Sequence, residues 1–477
     1  MKSAKPIYVY NEITKQKEIL KPNSEGEITM YVCGPTVYDY FHIGNARCFV
    51  LFDFIRRFLE YMGYKVNYVQ NFTDIDDKMI KRANRDGISV AELADKFIAE
   101  YKKDAEGLGI RPATIHPKAT EHIAEIIEII ETLIQKNHAY QSNSDVFFST
   151  KSFEGYGKLS NMNTDDLEMG DRVDSDIVEQ KRDPLDFALW KAKKEGEPAW
   201  DSPWGEGRPG WHIECSAMAK KYLGDTIDFH CGGRDLAFPH HENEIAQSEA
   251  AFGKPFVKYW LHNGYINIDG AKMAKSSGKM FTAREISEKY GYMPIRFFVL
   301  AATYRAPVNF SEEIIKSAQN ALERIFTFGD NIDFLLKNAQ SQSPVGADET
   351  EILNYKEKLI DALCDDFNTA DAISVLFDFI REANTKTAGA GAKPSKKLLE
   401  GIKDLYDEFC GLFGFVRESA ASDISEDYIN DQIEKRIAAK KSKDFAAADQ
   451  IREELKSLGI ILEDTPAGTK WRYIINN

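Results

Sequence analysis

The segment ITMYVCGPTVYDYFHIGNAR, residues 28–47, restricts this chain more than any other stretch. Its apolar first half reads as a buried strand, Gly34-Pro35 as a turn, and the residues after His42 as a helix start. CFVLFDFIRRFLEYMGY then carries apolar residues at helical spacing and stops at Gly63, which is expected to cap the helix. KVNYVQNFTDIDDK follows, with the β-branched and aromatic character of a second strand before an Asx-rich turn. Strand, helix, strand is the βαβ unit of a parallel sheet, whose ligands bind at the carboxyl ends of the strands. The fold class is therefore α/β, with a Rossmann-type parallel-sheet catalytic domain.

The chain has 477 residues, room for roughly three domains at about 150 residues each. Residues 126–205 read as an insertion into the sheet domain: a helix through EIIEIIETLIQK, then turn-rich sequence ending in AWDSPWGEGRPGW. Alternating character returns with DTIDFHCGG, which predicts another strand. From Ser311 to about Val416 the pattern is helical, interrupted by SQSPVGADE and NTKTAGAGAKPS, which read as connections between helices. A last unit joins one helix, IEKRIAAKKSKDFAAADQIREELKSL, to a short strand pair around IILEDTPAGTKWRY, with Gly459 as the stop between them. The expected divisions are 1–125 and 206–260 for the sheet domain, 126–205 for its insertion, 261–320, 321–420 for a helical bundle, and 421–477 for a small α+β unit.

Composition narrows the function. No charge-free apolar run reaches the ~18 residues of a membrane helix, and the opening MKSAKPIYVYNE lacks the apolar core of a signal peptide. A cytoplasmic protein with no membrane partner is expected. The formal charge of −15 argues against a protein that coats nucleic acid by bulk positive charge. Residues 431–477 differ, with nine Lys and Arg against eight Asp and Glu, the cations gathered at Lys435–Lys443. Six scattered cysteines in so long a chain are no secreted disulfide framework, so reduced thiols or metal ligands are expected.

Three constellations carry chemistry. His42-Ile43-Gly44-Asn45 at a helix start would present an imidazole and backbone N–H groups to a phosphate chain, and Gly44 leaves room for a flat ligand. Lys272-Met273-Ala274-Lys275-Ser276-Ser277-Gly278-Lys279 is a cationic loop able to follow an anionic leaving group. His240 and Glu244 fall on one face of a helix at i,i+4, but His241 at i,i+3 is also close, so spacing alone does not choose the imidazole.

The first two motifs, in this order and about 230 residues apart, resemble the paired nucleotide-binding signatures of class I aminoacyl-tRNA synthetases. YVCGPTVYDYFHIGNAR, NFTDIDDK, PGWHIECSAM, DFHCGGRDLAFPHHENEIAQSE and FAAADQIREELKSLGIILEDTPAGTKWR all resemble the cysteinyl-tRNA synthetase family, from about residue 7 to residue 473. The resemblance implies one Zn²⁺ held by Cys33, Cys215, His240 and Glu244, with Cys231 outside the set. A soft thiolate bonds Zn²⁺ better than a neutral hydroxyl does, whereas shape alone separates such isosteres by only about 10²-fold. Metal–sulfur bonding would thus tell cysteine from serine without an editing domain, for which the 126–205 insertion is too short.

The resemblance also implies the partners: L-cysteine, ATP with Mg²⁺, and tRNA(Cys), for a chain expected to act as a monomer. His42, Lys272 and Lys275 would be catalytic; Gly44, Asn45 and Ser276 would join them in ATP binding; Tyr38, Thr73, Trp211 and Asp235 would line the amino-acid pocket. On bland readings Thr73 is a helix cap, Trp211 a core aromatic and Asp235 a turn cap. Residues 261–320 would contact the acceptor stem, and 421–477 would bind the anticodon through Arg436, Lys440 and Trp471. Asn45 stands where many class I enzymes have a second histidine, and Ala274 replaces the usual serine of the lysine loop. Two other functions are open to the same sequence: a cysteine:amino-sugar ligase of the mycothiol type and an inactive RNA-binding paralogue. Paired KxxK motifs at Lys78–Lys81 and Lys272–Lys275 raise a persulfide-forming side activity seen in relatives.

Overall fold

The computed structural model describes residues 5–161, 180–268, 271–272, 281–339, 349–388, 394–417, 425–465 and 468–473. The chain divides into two compact units, one of residues 1–284, 302–310 and 363–369, the other of 285–301, 311–362 and 370–477. The expected 261–320 region is thereby divided between them.

The first unit opens with a hairpin, β1 (Tyr8–Asn11) and β2 (Gln16–Ile19), then runs through β3 (Glu27–Val32), α1 (Ile43–Tyr61) and β4 (Lys65–Gln70). Helices α2 (Asp77–Asp86), α3 (Val90–Gly107) and α4 (Ile123–Gln135) lead to β5 (Ala139–Ser142), β6 (Asp145–Phe148), β7 (Phe187–Ala192) and β8 (Gly207–Pro209). The chain returns through α5 (Trp211–Leu223), β9 (Ile227–Gly233), α6 (Glu242–Phe252) and β10 (Val257–Asn263). Short strands β11 (Ile266–Ile268), β12 (Ala271–Lys272) and β13 (Val308–Phe310) complete it.

Four strands form the central sheet in the order β10-β9-β3-β4, every neighbouring pair parallel. The chain moves from β3 out to β4, then returns to β9 on the other side of β3. The topological switch, where a ligand crevice opens, therefore lies at the carboxyl ends of β3 and β9. Helix α1 is buried on most of its surface, through Phe49, Phe52, Phe54, Ile55 and Phe58 among others. At roughly 1.5–3 kcal/mol for each fully buried large side chain, that holds the helix firmly against the sheet. Its last helical residue is Tyr61 and its cap Met62; Gly63, expected as the cap, sits one residue later with a φ of +103°.

The elements around the expected 126–205 insertion extend past it at both ends, from α4 at Ile123 to β8 at Pro209. Strands β5–β8 form a separate antiparallel sheet. With α4 they share a core of Ile130, Leu133, Leu189, Trp190 and Trp204 that also takes in Ala246 and Ala250 of α6.

The second unit comprises α7 (Ala283–Tyr290), α8 (Tyr292–Leu300), α9 (Glu312–Lys337), α10 (Glu349–Cys364), α11 (Thr369–Ala388) and α12 (Lys396–Phe413), followed by the C-terminal elements. Asn384–Ala388, expected in a connection, are instead the last turn of α11. The single C-terminal helix expected from the sequence is two, α13 (Glu426–Lys441) and α14 (Phe445–Ser457). The break has a local cause: Lys443 takes a φ of +63°, and the Asp444 side chain accepts the Ala447 N–H as a new N-cap. The strand pair is present as antiparallel β14 (Ile460–Thr465) and β15 (Gly468–Tyr473). Ile429, Ile433, Leu455, Ile460 and Leu462 form the core of this end.

Candidate active site and metal centre

The sequence-predicted residues of the first unit gather at the switch point. Cys33 follows β3, and its N–H bonds the carbonyl of Cys231 on β9 at 3.1 Å. Thr73 follows β4 and is tied to the same loop, since its N–H donates to Pro35 O and its carbonyl accepts from Val37 N. Gly34 is obligatory between them, because a Cβ there would lie 1.6 Å from Asn71 O.

Cys33, Cys215, His240 and Glu244 are all buried, and each offers a ligand atom within 4.8 Å of the others'. Cys215 Sγ lies 3.5 Å from His240 Nε2, Cys33 Sγ 3.8 Å from Glu244 Oε1, and His240 Nε2 3.0 Å from Glu244 Oε1. Tetrahedral bonds of about 2.0–2.3 Å place donor atoms roughly 3.3–3.8 Å apart, so two of these spacings already suit an ion and the third is slightly short. His240 itself comes from an irregular turn, Ala237–His241, that runs into α6 and still delivers the i,i+4 contact. Electrostatics point the same way. Burial, reinforced by the Cys215 thiol, pushes the Cys33 thiol well up; burial also raises the Glu244 carboxyl and lowers the His240 imidazole. Each group is thus driven toward neutrality in a dry pocket, the condition that a divalent cation reverses. The donor set fits Zn²⁺.

Cys33 and Glu244 also fall into a second grouping, with His230 and His241. His241 Nε2 is 3.3 Å from Cys33 Sγ, and His230 Nε2 is 2.8 Å from Glu244 Oε2. Both imidazoles that were open from spacing alone therefore reach the cluster. Cys231 belongs to neither group.

Around the donors lies a shell that the sequence did not single out. His212 Nδ1 is 2.9 Å from His240 Nδ1, His262 Nε2 is 2.8 Å from His241 Nδ1, and His230 stacks on Trp260 at 4.5 Å. Five of the chain's nine histidines thus crowd one pocket. Four of them occur in PGWHIE, DFHC and PHHE, beside the candidate ligands, which was the available signal; His262, in WLHNG, lies apart from these segments. Burial lowers His212, His230 and His262 to about 3, so all three are neutral. Glu214 is a second unforeseen group: fully buried, it accepts the Thr73 hydroxyl at 2.9 Å, and its Oε1 has no partner among the described residues.

The other pocket candidates are placed as follows. Trp211 stacks on His240 with ring centroids 4.1 Å apart, which makes it a wall of the donor cluster. Thr73 is buried against Glu214. Asp235 is exposed in a 3₁₀ turn just past β9, its carboxylate folded back over Gly233. Tyr38 is half-buried in the loop before His42.

His42 is the N-cap of α1, its Nδ1 accepting the Asn45 N–H at 3.3 Å, and Gly44 and Asn45 form the first helical turn. The chain around the lysine motif is tied to this point. Ile43 N donates to Phe281 O at 3.0 Å, Ala283 N donates to Phe41 O at 3.1 Å, and His42 bridges Thr282. On the entry side the Lys272 backbone pairs with Asn267 of β11. The Lys272 side chain, and Lys275 and Ser276 as a whole, lie outside the described residues. Lys78 and Lys81 are exposed on α2.

In the C-terminal unit Arg436 is 2% exposed and held bidentately by Asp464 at 2.7 and 2.9 Å, with Lys440 on the same carboxylate at 2.6 Å. Arg436, expected among the anticodon contacts, is thus buried and turned onto Asp464. Trp471 is half-buried against the local core.

Comparison with known proteins agrees with this architecture. Residues 19–320, which contain the parallel sheet, the histidine-capped helix and the donor cluster, match the family described as tRNA synthetases class I (C) catalytic domain. The catalytic unit is that of a class I synthetase. Residues 358–417 match a DALR domain and 426–472 a cysteinyl-tRNA ligase anticodon binding domain. A cysteine–tRNA ligase of Caldicellulosiruptor saccharolyticus is 55% identical over 464 residues, covering 97% of this chain and 98% of that protein. Another, from Clostridioides difficile, is 53% identical over 471 residues, 98% of this chain and 100% of the relative. The chain belongs to the cysteine–tRNA ligase family. Among solved structures the fold resembles a Mycobacterium tuberculosis methionyl-tRNA synthetase in complex with methionyl-adenylate, with TM-score 0.60 and 15% identity over 81% of this chain and 89% of that one.

Proposed function

We propose that the chain activates L-cysteine with ATP, releasing pyrophosphate, and transfers the cysteinyl group to the 3′-terminal adenosine of tRNA(Cys). The observation that carries this is the donor set itself: two thiols, an imidazole and a carboxylate gathered at the switch point, one loop away from a histidine-capped helix. Cys33, Cys215, His240 and Glu244 would hold Zn²⁺; the grouping with two soft thiols suits that ion better than the one with a single thiol. When bound, the metal supplies a Lewis acid that favours sulfur over a hydroxyl oxygen and lowers the thiol pKa.

The chain's own residues supply alignment. A carboxylate nucleophile is already ionised at neutral pH, so no general base is needed and the barrier falls by positioning and charge stabilisation. Trp211 walls the amino-acid pocket, Thr73 is held rigid by Glu214, and Asp235 at the rim pairs with the substrate ammonium. His42 and the first turn of α1 receive the phosphates of Mg²⁺–ATP, with Gly44 and Asn45 beneath the nucleotide. Lys272 and Lys275, with Ser276, neutralise the departing pyrophosphate.

The match of residues 426–472 favours tRNA over an amino-sugar as the acceptor. There Lys440 and the open edge of Trp471 meet the anticodon, and Asp464 is presented by Arg436. No helix among the described residues is long and apolar enough to cross a membrane, which supports a cytoplasmic location; the enzyme acts as a monomer. Cysteine-dependent ATP–pyrophosphate exchange, run beside metal analysis, tests the proposal. Exchange with cysteine but not serine, and one zinc per chain, are expected. Exchange by metal-free protein, or none by zinc-loaded protein, would refute it.

A further inference from the structure

We infer that Arg47 is a positioning residue for amino-acid activation: it sets the spacing between His42 and the strand that delivers Lys272. Arg47 lies in the second turn of α1, five residues after His42, and is 1% exposed. A buried cation is normally paired with a carboxylate, but among the described residues none pairs with Arg47. Its guanidinium donates instead to five backbone carbonyls. Nη1 reaches Gly264 O at 3.0 Å and Tyr265 O at 2.8 Å. Nη2 reaches Thr303 O at 3.3 Å, Tyr304 O at 3.1 Å and Ala306 O at 2.6 Å. Burial pulls its pKa down to about 10, so it stays charged at neutral pH.

The carbonyls belong to two stretches that the arginine holds together. Gly264 and Tyr265 lead directly into β11, and residues 303–306 lead into β13, the parallel neighbour of β11. Gly264 N also donates to Tyr304 O at 2.8 Å, and the approach is so close that a Cβ on Gly264 would lie 2.4 Å from Ala306 O. Strand β11 in turn pairs through Asn267 with Lys272 on β12. A rigid path therefore runs from α1 through the guanidinium to the strand carrying Lys272. Lysine could not replace it, because an ammonium has three donors on a flexible stem where the two planar Nη groups bring four N–H to the five carbonyls, one of them shared.

Misplacing a catalytic group by about 1 Å can cost some 10²-fold in rate. The test compares Arg47→Lys and Gly264→Ala with wild type; the second keeps the arginine and forces the carbonyl array apart. Each variant is expected to lose roughly 10–100-fold in kcat of pyrophosphate exchange. KM for cysteine, zinc content, and transfer to tRNA from preformed cysteinyl-adenylate should stay within about twofold of wild type. Unchanged exchange, an equal loss in both half-reactions, or failure of both variants to fold would overturn the inference. The inference rests on the proposed cysteine activation, and the arms separate the two: wild-type exchange reports on that activity, the ratio of variant to wild type on Arg47. Absence of exchange in wild type would overturn both.

Discussion

The donor cluster around Glu244 and the ion pair around Asp464 hold charge-capable groups in opposite ways. In the first, two thiols, several imidazoles and a carboxylate are buried together with no cationic side chain among them, and burial drives each toward its neutral form. In the second, a buried arginine and a half-exposed lysine converge on one carboxylate, which is held far below its usual range by those partners, Arg436 first. In the second arrangement the opposite charges pair directly with one another. The first gathers soft and hard donor atoms within reach of one point, as a cation site would, whereas the second pairs charge with charge, as architecture does.

The sharpest way to break this contrast is Cys215→Ser. Zinc and cysteine-dependent exchange should disappear together, a loss beyond the 10–100-fold typical of outer partners; full activity without metal would collapse the distinction. His42→Ala should cost about 10²–10³-fold in exchange, the scale for removing one preorganised donor, with cysteine affinity unchanged. A collapse of cysteine binding in that variant would reassign the imidazole.

His230→Gln is a finer probe, since His230 holds the Glu244 oxygen opposite the one facing His240. Zinc affinity should weaken about 10–100-fold, as for other residues that orient a ligand, measured by competition with a chelator. An unaltered affinity would favour a looser, single-point role for the carboxylate.

The smallest effect is expected at Asp464. Because the pair is partly exposed, Asp464→Asn should cost no more than about 1 kcal/mol in thermal unfolding of the C-terminal unit. The sign with pH follows from the depressed carboxyl: its contribution is fully present above the unfolded value of about 3.9 and fades as pH falls toward the folded one. Wild type and variant should therefore differ in stability at pH 6 and converge in strong acid. A difference that grows on acidification would contradict the assignment.

Much of this was legible in the sequence, for reasons that differ by region. The βαβ core was readable because strands β3 and β4 are apolar runs and α1 keeps its spacing over 19 residues. Cys33, Cys215, His240 and Glu244 could be named from resemblance, but their meeting depends on β3, α5 and α6 converging, which no local pattern encodes. The imidazole shell was missed because each histidine looks like an ordinary core residue until three elements bring them within reach. Arg47 was passed over because its partners are carbonyls more than 200 residues away, invisible in side-chain composition. The break at Ser442–Asp444 was overlooked because lysine and serine keep a helical rhythm, whereas the Asp444 cap that starts α14 is a matter of one side chain.

The capping contact at the head of α1 also fixes how the His42 ring is presented. With Nδ1 of His42 occupied as an acceptor of the Asn45 N–H, the neutral ring is the tautomer that carries its proton on Nε2. On the proposed reading, a nucleotide phosphate would approach a ring whose orientation is set by the helix itself.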